Sequence, residues 1–109
     1  MVQIKWVKDA KIDLKEIYDY ISIDFKRYAR LQVDRIKNAT EIIKTQPEIG
    51  KVVQQIEKPN IRELVQVNYR IIYRILDIKT IHILMIHHGA RDLFQRINNK
   101  KHKYTNILY

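Results

Sequence analysis

Residues 61–88 read IRELVQVNYRIIYRILDIKTIHILMIHH, and β-branched, aliphatic and aromatic residues alternate with polar ones along much of this stretch. A period of two is typical of strands that bury one face. Asn68 and the segment 77–79 are short enough to form hairpin turns. The stretch therefore divides into three predicted strands, 61–67, 69–76 and 80–87, and we expect an antiparallel meander.

The periodicity upstream of residue 61 is different. Val2, Ile4 and Trp6 alternate with polar residues and predict one short strand. Two amphipathic helices are then predicted, at 9–25 with Asp9 as the N-cap, and at about 27–46, ended by Pro47 and Gly50. Their predicted apolar stripes are Ala10, Leu14, Ile17, Tyr18, Ile21 and Phe25, and Tyr28, Leu31, Ile36, Ala39, Ile42 and Ile43.

The order of these elements predicts an α+β fold: an N-terminal strand, a two-helix antiparallel hairpin, and a three-stranded antiparallel meander. We expect Ile17, Ile21, Ile36 and Ile43 to lie between the helices and the sheet. Residues 1–97 are predicted to form a single domain, with a short helix at 90–97. The tail, 98–109, is basic and is expected to be loosely ordered.

The composition limits the classes of function. The 109 residues include no cysteine, which excludes disulfides, cysteine-based zinc sites and thiol nucleophiles. The first residues lack the apolar run of a signal peptide, and no apolar stretch is long enough to cross a bilayer. We expect a soluble cytoplasmic protein without membrane contact. A net charge of +9 favours an anionic partner such as nucleic acid, the ribosome or an acidic protein segment, although it could also serve solubility alone.

Alternation along the strands assigns two faces to the predicted sheet. One would pack under the helices through Ile71, Tyr73, Ile75, Ile81, Ile83 and Met85. The opposite face would carry Arg62, Leu64, Arg70, Ile72, Arg74, His82, Leu84, Ile86 and His88, and no other segment is predicted to cover it. An exposed apolar surface with arginines suggests a binding site for a phosphate-bearing or carboxylate-bearing partner. The alternative is that the faces are reversed or that the arginines are ordinary solvated residues.

The densest polar cluster is His87-His88-Gly89-Ala90-Arg91-Asp92. A histidine could transfer protons and an arginine could hold a phosphate, so the candidate catalytic residues are Arg70, Arg91, His87 and His88. The alternative is a structural role, with Arg91 and Asp92 paired locally. Neighbouring strand residues point to opposite faces, so the two histidines cannot chelate one metal together. No metal-ligand spacing, phosphate-binding glycine loop or dinucleotide motif occurs, and we expect no metal and no cofactor.

Several segments, in their order along residues 2–95, together resemble the RelE/ParE toxin superfamily. They are Thr45-Gln46-Pro47-Glu48-Ile49-Gly50, Ile61-Arg62-Glu63-Leu64-Val65, Tyr69-Arg70-Ile71-Ile72-Tyr73-Arg74 and Ile86-His87-His88-Gly89-Ala90-Arg91-Asp92. The resemblance implies the toxin of a type II toxin–antitoxin system, held in a hetero-oligomer with a cognate antitoxin. It also implies one of two targets: messenger RNA in the ribosome, or DNA gyrase.

The resemblance is closer to the ParE branch, which poisons DNA gyrase. The nucleases of the superfamily tend to have basic residues where this chain has Ile61 and Glu63, and a tyrosine or histidine near Phe94. Arg70 and Arg91 match arginines of the family. The expected target surface, which also serves the antitoxin, comprises Arg62, Leu64, Arg70, Ile72, Arg74, Leu84, Ile86, His88 and Arg91. Two alternatives stay open: a ribosome-dependent endoribonuclease using Arg70, Arg91 and His87 or His88, and a non-toxic basic interaction domain.

Overall fold

The computed structural model describes residues 2–89 and 91–99 of the chain. In chain order, the strands and helices of these residues are β1 (Gln3–Trp6), α1 (Lys8–Ser22), α2 (Lys26–Ala39), α3 (Ile42–Thr45), β2 (Lys51–Val52), β3 (Ile61–Gln66), β4 (Tyr69–Ile75), β5 (Thr80–His88) and α4 (Leu93–Asn99). The predicted short helix at 90–97 thus begins and ends later. Of the predicted tail, residues 100–109 lie outside the described residues.

The sheet has the strand order β1-β5-β4-β3-β2. The predicted antiparallel meander is confirmed, because β3 pairs with β4 and β4 with β5 in antiparallel register. The N-terminal strand joins the sheet beside β5 and runs parallel to it, with Ile4 opposite Ile81. A two-residue strand that the alternation did not predict, β2, extends the other edge by pairing with β3. The fold is therefore α+β around a mixed sheet.

The helices differ from their predicted bounds and from their predicted apolar stripes. Val7, not Asp9, is the N-cap of α1. The second predicted helix is divided, because the chain turns at Thr40 and Glu41, where the Thr40 hydroxyl donates to the Lys37 carbonyl at 2.7 Å. The buried positions of α2 are Ala29, Gln32 and Ile36. Tyr28 and Leu31, which were placed in the buried stripe, are exposed because this helical phase turns them away from the sheet.

An irregularity in β5 reverses the predicted faces of its second half. Ile72 pairs with Met85, but the next residue of β4, Tyr73, pairs with Ile83, so Leu84 is an extra residue. Such a bulge moves every later side chain to the other side of the sheet. Ile81, Ile83 and Ile86 consequently pack on the helix side, whereas Met85 packs on the outer side. The predicted positions of Met85, Ile86 and His88 were therefore wrong.

Both faces of the sheet are covered. On the helix side, Leu14, Ile36, Ile43, Ile71 and Tyr73 belong to one core cluster. On the outer side, a second core cluster joins the sheet to α4 and to the segment before β3, through Val53, Ile61, Ile72, Leu84, Met85, Leu93 and Ile97. The expectation that nothing covers the outer face was wrong, because α4 packs across it.

The segment 45–50 is held against the sheet by Tyr73. The Tyr73 hydroxyl donates to the Pro47 carbonyl at 2.6 Å and accepts from the Gly50 amide at 2.9 Å. A Cβ atom at Gly50 would lie 2.6 Å from both the Glu63 carbonyl and the Tyr73 hydroxyl. No side chain fits at this position, so glycine allows the loop to approach β3 and β4 closely.

The helix-side core generates a stability prediction. Ile36 is fully buried, whereas Ile78, in the turn before β5, is 88% exposed. Ile36→Ala should lower the free energy of unfolding by about 2–5 kcal/mol, through lost burial and the cavity left behind. Ile78→Ala removes the same atoms from a solvated site and should change it by less than about 0.5 kcal/mol. Urea denaturation of both variants measures the difference, and equal effects would contradict the described packing.

Candidate functional site

The residues predicted to form one binding face are divided between two sides of the sheet. Arg70, Ile72, Arg74 and Leu84 belong to the outer side. Directly paired residues place their side chains on the same side of a sheet. Arg62 pairs with Tyr73, Leu64 with Ile71 and His88 with Tyr69, so these three residues lie on the helix side, where Ile86 also packs. Exposed Arg91 follows β5. Ile72, Leu84 and Ile86 are buried, so the predicted exposed apolar face does not exist.

Arg62 and Arg74 of the meander lie on opposite sides of the sheet and differ in their contacts. Arg62 donates to the carbonyls of Glu48, Pro59 and Gly50, the last at 2.9 Å, and so fixes the loops that flank β2. Arg74 lies opposite His82 in the neighbouring strand, and its Nε atom is buried without a hydrogen-bond partner among the described residues. Arg62 therefore has a structural role that strand alternation alone did not indicate.

Arg70 forms a partly buried ion pair with Glu63. Its Nε donates to Glu63 Oε2 at 2.8 Å, its second terminal nitrogen contacts the same oxygen, and that nitrogen also donates to Gln55 Oε1 at 3.1 Å. The Glu63 side chain is buried, and Lys51 approaches its other oxygen at 3.6 Å. The Glu63 carboxylate thus binds the guanidinium nitrogens with which Arg70 would otherwise bind a phosphate.

Both ring nitrogens of His87 are in contact with other groups. Nε2 lies 2.8 Å from the Arg91 carbonyl oxygen, and Nδ1 lies 3.3 Å from the guanidinium of Arg96. A carbonyl only accepts and a guanidinium only donates, so these contacts select the neutral ring with its proton on Nε2. Burial lowers the pKa of His87, the Arg91 carbonyl acts in the opposite direction, and the charge of Arg96 adds to the lowering. His87 is consequently held neutral.

Asp13 and Arg96 join α1, β5 and α4. Val7, which follows β1, still donates its amide to the Ile83 carbonyl of β5. Further along the same strand, the Ile86 amide instead donates to the side chain of Asp13, at 2.9 Å from Oδ2. Arg96 donates to the same carboxylate oxygen at 2.6 Å. One carboxylate thereby accepts a hydrogen bond from the edge of β5 and fixes the position of α4. No local sequence pattern marks the contact between Asp13 and Arg96, because 83 residues separate them.

No local sequence pattern marks the groove between β1 and the two long helices either. It has a volume of about 820 Å³. Its apolar lining comes from Ile4, Trp6, Leu14, Tyr18 and Val33, and its charged lining from Lys5, Lys11, Lys15, Lys37 and Asp19. We call it the lysine-rimmed groove. Asp19 is bound to Lys15 at 2.7 Å, so the lining carries an excess of positive charge.

Three further observations concern metal ions, the two histidines and membranes. Within residues 2–89 and 91–99, no group of three or more histidine, aspartate or glutamate side chains is placed to hold a metal ion. His87 and His88 lie on opposite sides of the sheet, as expected. Among these same residues, no helix is both long enough and apolar enough to span a membrane.

Comparisons with known proteins point to one family. The family model of the ParE toxin of the type II toxin–antitoxin system, parDE, matches residues 4–93. A solved structure titled "Chromosomal ParDE TA system from P. aeruginosa" is similar, with a TM-score of 0.68 and 25% sequence identity, over 81% of this chain and 96% of that one. No curated protein sequence matches the chain significantly.

The environment of His87 generates a prediction on pH. Because its folded pKa lies below the unfolded value of about 6.5, the unfolded chain binds the proton first as the pH falls. Neutral His87 therefore contributes fully to the unfolding free energy above about pH 6.5, and this contribution is lost as the pH falls further. Between pH 7.5 and 5.5, wild-type protein should lose more unfolding free energy than His87→Gln, by at most about 1.4 kcal/mol per pH unit. Parallel pH profiles from urea denaturation would contradict this assignment.

Proposed function

This chain belongs to the ParE toxin family of type II toxin–antitoxin systems, and from this premise we propose that it stops growth by binding DNA gyrase and is neutralised by its cognate antitoxin. One observation supports poisoning by binding over poisoning by cutting. Two of the four candidate nuclease groups are engaged within the fold, Arg70 by Glu63 and His87 by Arg91 and Arg96.

The positions where a nuclease would need further groups supply none. Ile61 is apolar and buried, and Glu63 adds negative charge where the cleaved phosphodiester would need positive charge. Phe94 is exposed but has no proton to transfer. One placed acid or base typically contributes about 10²–10⁴ in rate, so a nuclease built on these residues would lack a large part of its acceleration.

The lysine-rimmed groove is the surface that we assign to the antitoxin. The aromatic rings of Trp6 and Tyr18 offer apolar contacts within the groove, and lysines surround them. β1 forms the edge of the sheet beside the groove. An acidic amphipathic segment fits this surface, because its apolar side chains would be buried while its carboxylates face the lysines. This assignment replaces the sheet face predicted from the sequence.

Charge reversal in the groove tests the assignment. Lys11→Glu combined with Lys37→Glu should weaken antitoxin binding by about ten-fold, mainly through slower association, and should reduce its dependence on salt. Lys58→Glu combined with Lys79→Glu makes the same change of charge outside the groove and serves as the control. Surface plasmon resonance at two salt concentrations measures both. An equal loss in the two double variants would show that net charge, and not the groove, determines binding.

Toxicity itself separates binding from cutting. Replacing both His87 and His88 with Gln keeps polar side chains but removes proton transfer near neutral pH, so growth arrest should persist. Arg91→Ala removes an exposed guanidinium and should reduce growth arrest. Arg70→Ala is less informative, because it would leave the Glu63 carboxylate buried without its partner, which typically costs about 3–5 kcal/mol.

Induced expression of wild-type protein and these variants should be followed by two measurements, plasmid supercoiling and messenger RNA integrity. We expect loss of supercoiling with intact messenger RNA, and rescue by the antitoxin. If wild-type protein causes ribosome-dependent RNA cleavage that the folded double glutamine variant lacks, the endoribonuclease alternative replaces this proposal. Normal growth with soluble protein would instead favour a non-toxic interaction domain.

A further inference from the structure

The tip of the α1–α2 hairpin exposes several large apolar side chains within nine residues. Tyr20 is 79% exposed, Ile23 77% and Phe25 67%, and Tyr28 is about half exposed. Scattered single apolar residues are normal on protein surfaces, but several large ones exposed within one short segment indicate an interaction site. None of these four side chains contributes to either core cluster.

The end of β3 and the β3–β4 turn add two more exposed apolar side chains, Val65 and Val67. The φ angle of Val67 is 55°, in the left-handed region that β-branched residues rarely adopt. This conformation brings the Cβ atom too close to the following carbonyl oxygen. Strained residues of this kind concentrate where a surface is shaped for function.

The hairpin tip and this turn lie at the same end of the molecule. Tyr69, which follows the turn, lies near Tyr20 and Tyr28 on the helices and near Arg91 after β5. Tyr69 also contacts the His88 ring edge to face, at 5.5 Å between ring centroids. A hollow of about 250 Å³ opens beside them, lined by Val65, Val67, Asn68, Tyr69, Arg70, His88 and Gly89.

We propose that this end, defined by Tyr20, Ile23, Phe25, Tyr28, Val65 and Val67 and called here the aromatic end, is the surface through which the toxin contacts its protein target. The inference deepens the proposed function and rests on it. Tyrosine and arginine dominate the energetic centres of protein interfaces, and the hollow could receive a side chain of the partner. Exposed cations, namely Lys26, Arg27, Arg30 and Arg91, accompany the apolar residues and indicate an acidic partner surface.

Other occupants fit this surface less well. A second copy of the chain would bring two sets of the cations of the hairpin tip and Arg91 into one interface, which is unfavourable. An anionic membrane surface offers no side chain to fill the hollow beside Tyr69. The antitoxin has the lysine-rimmed groove, which runs along a different part of α1.

A double variant tests the proposal against a matched control. Tyr20→Ser with Phe25→Ser removes two exposed rings from the aromatic end. Leu76→Ser with Ile78→Ser removes two exposed apolar side chains from the β4–β5 turn, at the other end of these strands. We expect the first pair to weaken growth arrest and affinity for purified gyrase by at least about ten-fold. Antitoxin affinity and melting temperature should stay near wild-type values, and the control should resemble wild type throughout.

Growth arrest that persists undiminished in the folded Tyr20→Ser/Phe25→Ser variant would overturn the proposal. So would a parallel loss of antitoxin affinity, which would assign the surface to the antitoxin. Self-association of wild-type protein in sedimentation, or binding to phosphatidylglycerol vesicles, that the variant loses would assign it to a second copy or to a membrane. If wild-type protein arrests growth without affecting supercoiling, gyrase is the wrong target, while a weakened arrest in the variant still supports the aromatic end.

Discussion

The extra residue in β5 determines which side chains meet on each side of the sheet. β5 has neighbours on both edges, β1 and β4, and buried contacts on both faces. Before Leu84 it presents Ile81 and Ile83 to the helices, and after Leu84 it presents Ile86. Without the bulge, Met85 and His87 would enter the helix-side core, whereas Ile86 and His88 would face α4. The two core clusters and the polar contacts of His87 depend on this single irregularity.

The polar contacts around α4 follow from that constraint. With His87 on the outer side, its ring can bond to Arg91 and Arg96, and Arg96 can reach the Asp13 carboxylate. Buried ion pairs contribute little net stability, because the desolvation of both charges offsets their attraction. Breaking one is costly, however, since a buried charge is left alone. The pairs Asp13–Arg96 and Glu63–Arg70 therefore act mainly as positioning contacts, one for α4 and the other for the register of β3 and β4.

The sequence determines most of this fold through local periodicity, and the rest requires tertiary contacts. The faces of β4 were predicted correctly, because its alternation is unbroken and Ile71 and Tyr73 do pack under the helices. Ile36 and Ile43 were likewise predicted correctly as core residues. The faces of β5 beyond Leu84 were predicted wrongly, because all four residues from Ile83 to Ile86 are apolar and no glycine marks the bulge. The α4 cover and the lysine-rimmed groove unite residues distant in sequence, so periodicity could not reveal either.

The two proposed surfaces share one helix, and this limits how neutralisation can work. α1 contributes Tyr18 and Asp19 to the lysine-rimmed groove and Tyr20 to the aromatic end. Successive residues of an α-helix diverge by about 100°, so Tyr18 and Tyr20 point away from each other although they are neighbours along the axis. An antitoxin segment that only fills the groove therefore leaves Tyr20 accessible. Neutralisation through this groove would then work by steric obstruction, because an antitoxin bound beside Tyr18 and Asp19 keeps a large target from reaching Tyr20 without itself contacting that ring.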